Sequence, residues 1–268
     1  MNEYLKANRA HWDELVAIHA NSTFYDLEGF KAGKLSLKSL ELEELGDVAG
    51  KSLLHLQCHF GMDTLSWARL GAEVTGVDFS DQAISLARSL SEELGIEASF
   101  VYSDIYELPD VLSGLFDIVY TSYGVLAWLP DLGRWAEVIA HFLKPGGTFY
   151  IAEIHPFASV FCDEEDVTDL SVSYPYFASA EPVRFEVEGS YADPAAKVAQ
   201  SVTYEWFHPL AEVINSLTSV GLRIEFLHEF PYSSYQMFPF LERDDDGWWR
   251  LDPQYGSIPL TFSLKALK

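Results

Sequence analysis

The sequence has few basic residues, two cysteines and no long apolar run. Its 17 lysines and arginines stand against 41 aspartates and glutamates, which gives a formal net charge of −24 at pH 7. Proteins that bind nucleic acids or anionic membrane surfaces supply Lys and Arg to the phosphates, so this charge argues against both partners. No apolar run approaches the roughly 20 residues that a membrane-spanning helix needs.

The two cysteines, Cys58 and Cys162, cannot build a disulfide framework. The first residues, Met1–Lys6, lack the basic segment and the apolar core of a signal peptide. Both observations favour a cytoplasmic protein. The 268 residues suit one α/β domain with insertions, and a hydrophobic share of 49% argues against disorder.

Short apolar runs alternate with helical patterns between residues 51 and 154. We expect five strands there: Ser52–Leu56, Glu73–Asp78, Ala98–Tyr102, Phe116–Thr121 and Thr148–Glu153. Continuous apolar runs are typical of parallel strands that are covered on both faces. Ligands of such sheets bind beyond the carboxyl ends of the strands.

Three residue groups at these strand ends could bind a nucleoside. The turn Gln57–Gly61 offers free backbone N–H groups, and Gly61 lets a ligand come close. Asp78 ends the second strand, 21 residues after Gln57, where a carboxylate can accept hydrogen bonds from both ribose hydroxyls. Asp104 could accept from an adenine amine while the Ile105 N–H binds a ring nitrogen. Two structural alternatives stay open, a solvated strand-end carboxylate for Asp78 and a helix cap for Asp104.

Taken together, these segments resemble the class I S-adenosylmethionine-dependent methyltransferases of the small-molecule type over about residues 45–155. Five segments carry the resemblance: Leu53–Gly61, Val77–Ser80, Ser103–Ile105, Phe116–Val119 and Leu143–Gly147. The resemblance implies an α/β fold, a doubly wound Rossmann-like sheet of seven strands with an antiparallel last strand. It also implies methyl transfer from S-adenosylmethionine to a small-molecule acceptor, with S-adenosylhomocysteine as product.

The first motif departs from the family pattern, acid-x-Gly-x-Gly-x-Gly. His55 stands in place of the acid, and Gln57 and His59 replace the first two glycines, so that Gly61 alone remains. These changes narrow the space for the methionine part of the cofactor. The Gln57 amide can compensate in part, since it both donates and accepts hydrogen bonds.

The resemblance implies roles for the residues around the strand ends. Asp78 would hold the ribose, Asp104 and Ile105 would read the adenine, and Ser122 and Tyr123 would border the sulfonium. The cofactor-binding residues expected in this way are Tyr25, His55, Gln57, Cys58, His59, Gly61, Asp78, Phe79, Ser80, Asp104, Ile105 and Ser122. Tyr25 is the candidate for a lid over the cofactor, whereas Trp12 is expected to pack on the flank of the sheet.

Two residues are candidates for catalysis. His155 follows the fifth strand and titrates in the range that a general base needs, although His155-Pro156 could equally shape the strand exit. Tyr123 follows the fourth strand. We expect no metal, because His55 and Cys58 point to opposite faces of a strand and no second cysteine pair exists.

We expect a single methyltransferase domain in four parts. Residues 1–50 form a helical lid, residues 51–154 bind the cofactor, and residues 155–207 form an inserted cap hairpin. Residues 208–268 supply the last helix and strands, with an aromatic and acidic insert over 230–257. Two alternatives to methyl transfer remain: a non-catalytic binding protein on the same fold and a nicotinamide-dependent dehydrogenase. The chain is expected to be a monomer or a homodimer.

Overall fold

A computed structural model describes residues 2–164, 166–177 and 181–268. Met1, in the predicted lid, and Glu165 and residues 178–180, in the predicted cap, lie outside the described residues. The strands are β1 Ser52–Leu56, β2 Glu73–Asp78, β3 Ser99–Tyr102, β4 Phe116–Ser122, β5 Leu143–Ile154, β6 Val183–Glu186, β7 Val202–Glu205, β8 Arg223–Phe230, β9 Tyr232–Ser233, β10 Leu241–Arg243, β11 Trp249–Leu251 and β12 Thr261–Leu267. The helices are α1 Glu3–Asn21, α2 Leu27–Lys31, α3 Ser39–Leu45, α4 Met62–Arg69, α5 Asp81–Leu94, α6 Leu108–Val111, α7 Leu132–Phe142 and α8 Leu210–Ser219.

Seven strands form the main sheet in the order β3-β2-β1-β4-β5-β12-β8. Strands β1 to β5 pair in parallel, and β12 is antiparallel to both of its neighbours. This order confirms the predicted Rossmann-like sheet with an antiparallel last strand.

Both faces of the sheet are buried, which explains why its strands are continuous apolar runs. Leu54 of β1 packs in one cluster with Trp135 of α7, whereas Leu53 packs on the other face with Trp67 of α4. Both tryptophans are fully buried. Helices therefore cover each face of the sheet, and the carboxyl ends of β1 to β5 meet at one edge, where a ligand can reach them.

Two smaller sheets lie outside the main one. The hairpin of β6 and β7 is antiparallel and shorter than the sequence predicts, since four residues pair on each side. The insert over 230–257 forms a three-stranded sheet in the order β10-β11-β9. No helix in the described part of the chain is long and apolar enough to cross a membrane.

Helix α1 binds the outer edge of β7 through side chains on one of its faces. The Asn8 amide donates to the carbonyl of Tyr204 at 2.7 Å and accepts from its N–H at 2.8 Å. The Glu14 carboxylate accepts from the N–H groups of Ala199 and Gln200 at 2.8 and 2.7 Å. These bonds satisfy backbone groups on the outer edge of β7 and just before it that would otherwise need another partner. They also attach the N-terminal segment to the cap.

Candidate active site

The turn after β1 adopts the backbone of a glycine-rich loop without its glycines. Gln57, His59 and Gly61 have φ values of 56°, 50° and 79°. The left-handed region costs an ordinary L-residue about 1–2 kcal/mol, so Gln57 and His59 hold this conformation under strain. Two residues with side chains therefore adopt a backbone conformation that costs glycine little, at positions where the methyltransferases that the sequence resembles have glycine.

Asp78 fixes this turn from the end of β2. Its carboxylate accepts from the N–H of His59 at 2.8 Å and from the N–H of Ser80 at 2.9 Å. The residue is 7% exposed, and burial raises the pKa of its carboxyl to about 6 against the pull of these N–H groups. Each carboxylate oxygen retains acceptor capacity for a ligand hydroxyl.

Aromatic residues of the N-terminal segment cover the turn. Tyr25 stacks on His19 with ring centroids 5.1 Å apart, and the ring of His19 hydrogen-bonds that of His59 at 2.9 Å. Burial lowers the pKa of both histidines, so the pair is uncharged at neutral pH. The predicted lid residue, Tyr25, thus lies over the turn. Trp12 also lies there, 5.3 Å from His59, and the expectation that it packs on the flank of the sheet is wrong.

Two buried polar atoms in this region have no partner. The Gln57 amide donates to the carbonyl of Val125 at 3.0 Å, which leaves its Oε1 buried and unpaired. The Nε1–H of Trp12 is also buried and unpaired. Buried polar groups are nearly always bonded, so the Gln57 oxygen can accept from a ligand and the Trp12 N–H can donate to one. An amino acid moiety, with its ammonium and carboxylate, supplies the complementary groups, and the residues present therefore fit the methionine part of S-adenosylmethionine.

The residues after β3 offer one carboxylate oxygen. Asp104 accepts from the N–H of Tyr106 at 3.0 Å through Oδ1, as a cap of the short helix that begins at Ile105. Its Oδ2 makes no hydrogen bond in the described part of the chain, so the capping role and a contact to adenine are compatible. The Ile105 side chain is buried in the core, and its N–H lies at the same strand end.

Three residues of the predicted set use their side chains inside the protein. The ring of His55 hydrogen-bonds Thr64 at 2.8 Å, and burial lowers its pKa to about 3, so it is neutral. Cys58 is buried, and its pKa is raised for that reason. The Ser80 hydroxyl accepts from the N–H of Ala83 and donates to Asp13, which caps α5 and ties it to α1. These contacts favour structural roles for the three side chains.

The remaining predicted residue of this region, Phe79, is half-buried between Asp78 and Ser80. No group of three or more His, Cys, Asp or Glu side chains among the described residues is arranged to hold a metal ion.

Two carboxylates, the buried Glu41 and the half-buried Asp63, lie beside the end of β4, and the sequence pattern does not indicate them. The Tyr123 hydroxyl donates to Glu41 of α3 at 2.9 Å, and the Ser122 hydroxyl donates to Asp63 of α4 at 3.3 Å. Glu41 is 1% exposed; burial, with the negative charge of Asp63, raises its pKa to about 8. Asp63 follows Gly61 by two residues and could have been noticed for that position, whereas Glu41 lies in an acidic helix with no distinguishing signal.

The other predicted catalytic residue lies further along the same edge. The Nδ1 of His155 accepts from the N–H of Phe157 at 3.0 Å, so its Nε2 carries the proton and donates to Glu229 at 2.8 Å. Both ring nitrogens are therefore occupied. The arrangement favours a role in shaping the strand exit. The neighbouring Glu153 accepts from the N–H groups of the loop after β4, at Val125 and Leu126 among others.

Comparison with known proteins finds a methyltransferase match in the middle of the chain. Residues 53–147 match the family model described as a methyltransferase domain. A ubiquinone biosynthesis O-methyltransferase of Xanthomonas euvesicatoria pv. vesicatoria (strain 85-10) is 28% identical over 164 residues, which are 60% of this chain and 68% of that protein. A methyltransferase-like domain therefore lies within residues 53–147 of this chain.

Solved structures agree with the methyltransferase fold over most of the chain. An S-adenosylmethionine-dependent methyltransferase from Listeria monocytogenes superposes with a TM-score of 0.59 and 16% identity, over 85% of this chain and 97% of that one. One from Mesorhizobium loti gives 0.57 and 19%, over 89% and 100%. The family match spans residues 53–147, so α1 to α3, which precede it, and the cap, which follows it, lie outside the match.

Proposed function

We propose that the turn after β1, Gln57–Gly61, binds S-adenosylmethionine. The lid and the cap would hold a small-molecule methyl acceptor next to this cofactor. Asp78 would bind the ribose hydroxyls, and Asp104 with the N–H of Ile105 would bind the adenine. Gln57 Oε1 would accept from the ammonium, and Trp12 Nε1 would donate to the carboxylate. When bound, this cofactor supplies an electrophilic methyl group on a sulfonium.

The backbone of the turn is the observation that carries this proposal. Gln57 and His59 stay in the left-handed region at a cost in stability, and Asp78 holds them there through the N–H of His59. Strain of this kind persists where a function needs the conformation. The strain therefore supports a binding turn that keeps the backbone of a glycine-rich loop, although Gln57 and His59 stand in place of two glycines.

The protein's own contribution to methyl transfer is positioning, exclusion of water and removal of a proton. The aromatic cover over the turn excludes water from the reacting groups. Tyr123 and Glu41 form a hydrogen-bonded pair at the end of β4, and we propose that they accept the proton that an acceptor hydroxyl or ammonium must lose. This places the general base at the end of β4, in preference to His155.

The acceptor itself is not given by the relatives. The relative named above carries ubiquinone biosynthesis in its name, but the lid and the cap that would contact an acceptor lie outside the family match. The scarcity of cysteine and the net charge of −24 support a cytoplasmic enzyme that acts without nucleic acid. We propose that the protein is a monomer or a homodimer.

Calorimetric titration tests cofactor binding directly. We expect micromolar binding of S-adenosylmethionine and S-adenosylhomocysteine and no binding of NADH. Asp78→Ala should abolish the binding of both sulfur compounds, whereas Asp110→Asn, which changes an exposed carboxylate on α6, should leave it unchanged. Absence of binding by the unaltered protein, or equal affinity of the two variants, would contradict the proposed site.

A further inference from the structure

A chain of tyrosines leads from the lid into the cap. The hydroxyls of Tyr25 and Tyr191 are hydrogen-bonded at 2.5 Å, and the rings of Tyr191 and Tyr235 lie 6.0 Å apart. Tyr235 rests on the apolar cluster that includes Phe161 and Phe238. These rings connect the covered turn after β1 with the inner side of the β6–β7 hairpin.

The inner face of β7 carries two polar side chains without partners. Thr203 and Glu205 share this face because side chains alternate along a strand, and Tyr204 on the opposite face packs on Tyr4 with ring centroids 4.7 Å apart. Thr203 is 0% exposed, and its hydroxyl has no hydrogen-bond partner. Within the described residues, Glu205 makes no side-chain hydrogen bond or ion pair.

A second carboxylate adds negative charge at this face. Asp163 accepts from the Tyr174 hydroxyl at 3.3 Å. Burial, together with the negative charge of Asp163, raises the pKa of Glu205 to about 7. Tyr174, the donor to Asp163, packs on Phe185 with ring centroids 5.4 Å apart, and Phe185 pairs with Thr203 across the hairpin, so Asp163 lies beside the same face. The charges of both carboxylates also raise the pKa of Tyr235. No Lys or Arg of the described chain forms an ion pair with Asp163 or Glu205.

We propose that Thr203, Glu205, Asp163 and Tyr235 form a cap site that holds the ammonium group of a cationic amine, the methyl acceptor. The inference rests on the proposed function and names the acceptor class for that site. Glu205 is half-buried and Asp163 is exposed, so this face presents negative charge without a cation, and an ammonium group would neutralise it. The Tyr235 ring attracts a cation by its π face, and the unpaired Thr203 hydroxyl can accept from an N–H. A carboxylate or phosphate ligand would be repelled.

The test uses three ligands that share one phenol ring: tyramine carries an ammonium group, tyrosol a neutral hydroxyl and 4-hydroxyphenylacetate a carboxylate. Each is titrated by calorimetry into the whole protein, first alone and then saturated with S-adenosylhomocysteine. We expect tyramine to bind at least tenfold more tightly than tyrosol, and 4-hydroxyphenylacetate not to bind. Glu205→Gln should remove the preference for tyramine. Glu186→Gln, which changes an exposed carboxylate of the same hairpin, should preserve it.

Three results would overturn the cap site: no binding of tyramine, equal affinity for tyramine and tyrosol, or equal effects of Glu205→Gln and Glu186→Gln. Thr203→Val adds a conservative variant, since it replaces an unpaired buried hydroxyl with a methyl group; it should weaken tyramine binding without loss of folding. The binding of S-adenosylhomocysteine itself is interpreted separately from the binding of the three phenols. Its failure would count against the proposed function, while the preference among the three phenols would still decide the cap site.

Discussion

The carboxylate of Asp78 and the backbone N–H of His59 are hydrogen-bonded at 2.8 Å, and this bond joins the end of β2 to the turn after β1. It does two things at once. It holds His59 at a φ of 50°, and it orients the carboxylate toward the place where a ribose would lie. A single acidic side chain therefore shapes the turn and, in the proposed function, would also bind the ligand.

Replacement of Asp78 by Asn should destabilise the turn. Each carboxylate oxygen accepts from a backbone N–H, whereas the amide offers one oxygen and directs an NH2 group at the other donor. We expect a loss of about 1–3 kcal/mol in the free energy of unfolding, measured by urea denaturation. The control, Asp110→Asn, should stay within about 0.5 kcal/mol of the original. Equal effects of the two variants would mean that the turn does not depend on Asp78.

Gln57→Ala tests whether the unpaired Oε1 contacts a cofactor. The variant retains the left-handed strain but removes the amide, so one hydrogen bond to the ligand is lost. A net hydrogen bond contributes about 0.5–1.5 kcal/mol, which corresponds to a loss of roughly 2- to 12-fold in the affinity for S-adenosylhomocysteine. Calorimetry measures this loss. If affinity does not change, Gln57 only braces the loop through Val125.

Glu41→Gln should change how activity depends on pH. Glu41 can take a proton from Tyr123 only when ionised, so with a pKa of about 8 the rate should rise as pH increases through 8. Asp63, Lys38 and Tyr123 lie next to the Glu41 carboxyl group, so the observed pKa reflects all four interacting groups. The variant should be slow and lack this rise, as should Tyr123→Phe. Glu43→Gln, on an exposed position of the same helix, should retain the original profile.

The same carboxyl group should affect stability with a definite sign. Its folded pKa of about 8 lies above the ordinary 4.5, so the folded state binds more protons between these values. The contribution to the free energy of unfolding is therefore full below pH 4.5 and is lost as pH rises to about 8. Glu41→Gln should remove this part of the pH dependence in chemical denaturation. A dependence that is identical in both proteins would show that Glu41 is ionised throughout.

Glu14→Ala should loosen the attachment of α1 to the cap. Its carboxylate is the acceptor for two backbone N–H groups, those of Ala199 and Gln200, and their loss leaves both without this partner. Hydrogen exchange at these two amides should become faster, while the core strands keep their protection. Glu3→Ala, at an exposed position in the first turn of α1, is the control. Unchanged exchange at residues 199–200 would contradict the attachment.

Most of the parallel half of the sheet was predictable, because its signals are local. The periodicity of residues 51–154 predicts β1 and β2 with their observed bounds and β3 and β4 to within one residue, whereas β5 begins at Leu143, five residues before its predicted start. A predicted strand also predicts the residues at its end, so the sequence placed Asp78 and Asp104 at one edge of the sheet. The predicted lid position of Tyr25 came from its place in an irregular stretch of the sequence.

The contacts that shape the site were not predictable, because they join side chains far apart in the chain. Glu41 meets Tyr123 across 82 residues, and Glu14 meets the backbone of Ala199 across 185. Neither contact leaves a periodic trace in the sequence.

The sequence by itself determined the layers of this protein and the edge of the sheet at which the parallel strands end, since apolar periodicity and strand ends are properties of neighbouring residues. The tertiary structure alone decided that Trp12 covers the turn, that Glu41 pairs with Tyr123, and that both nitrogens of His155 are occupied. The physical reason is that a buried polar atom must find a partner wherever the fold provides one, and that partner depends on the packing of the whole chain.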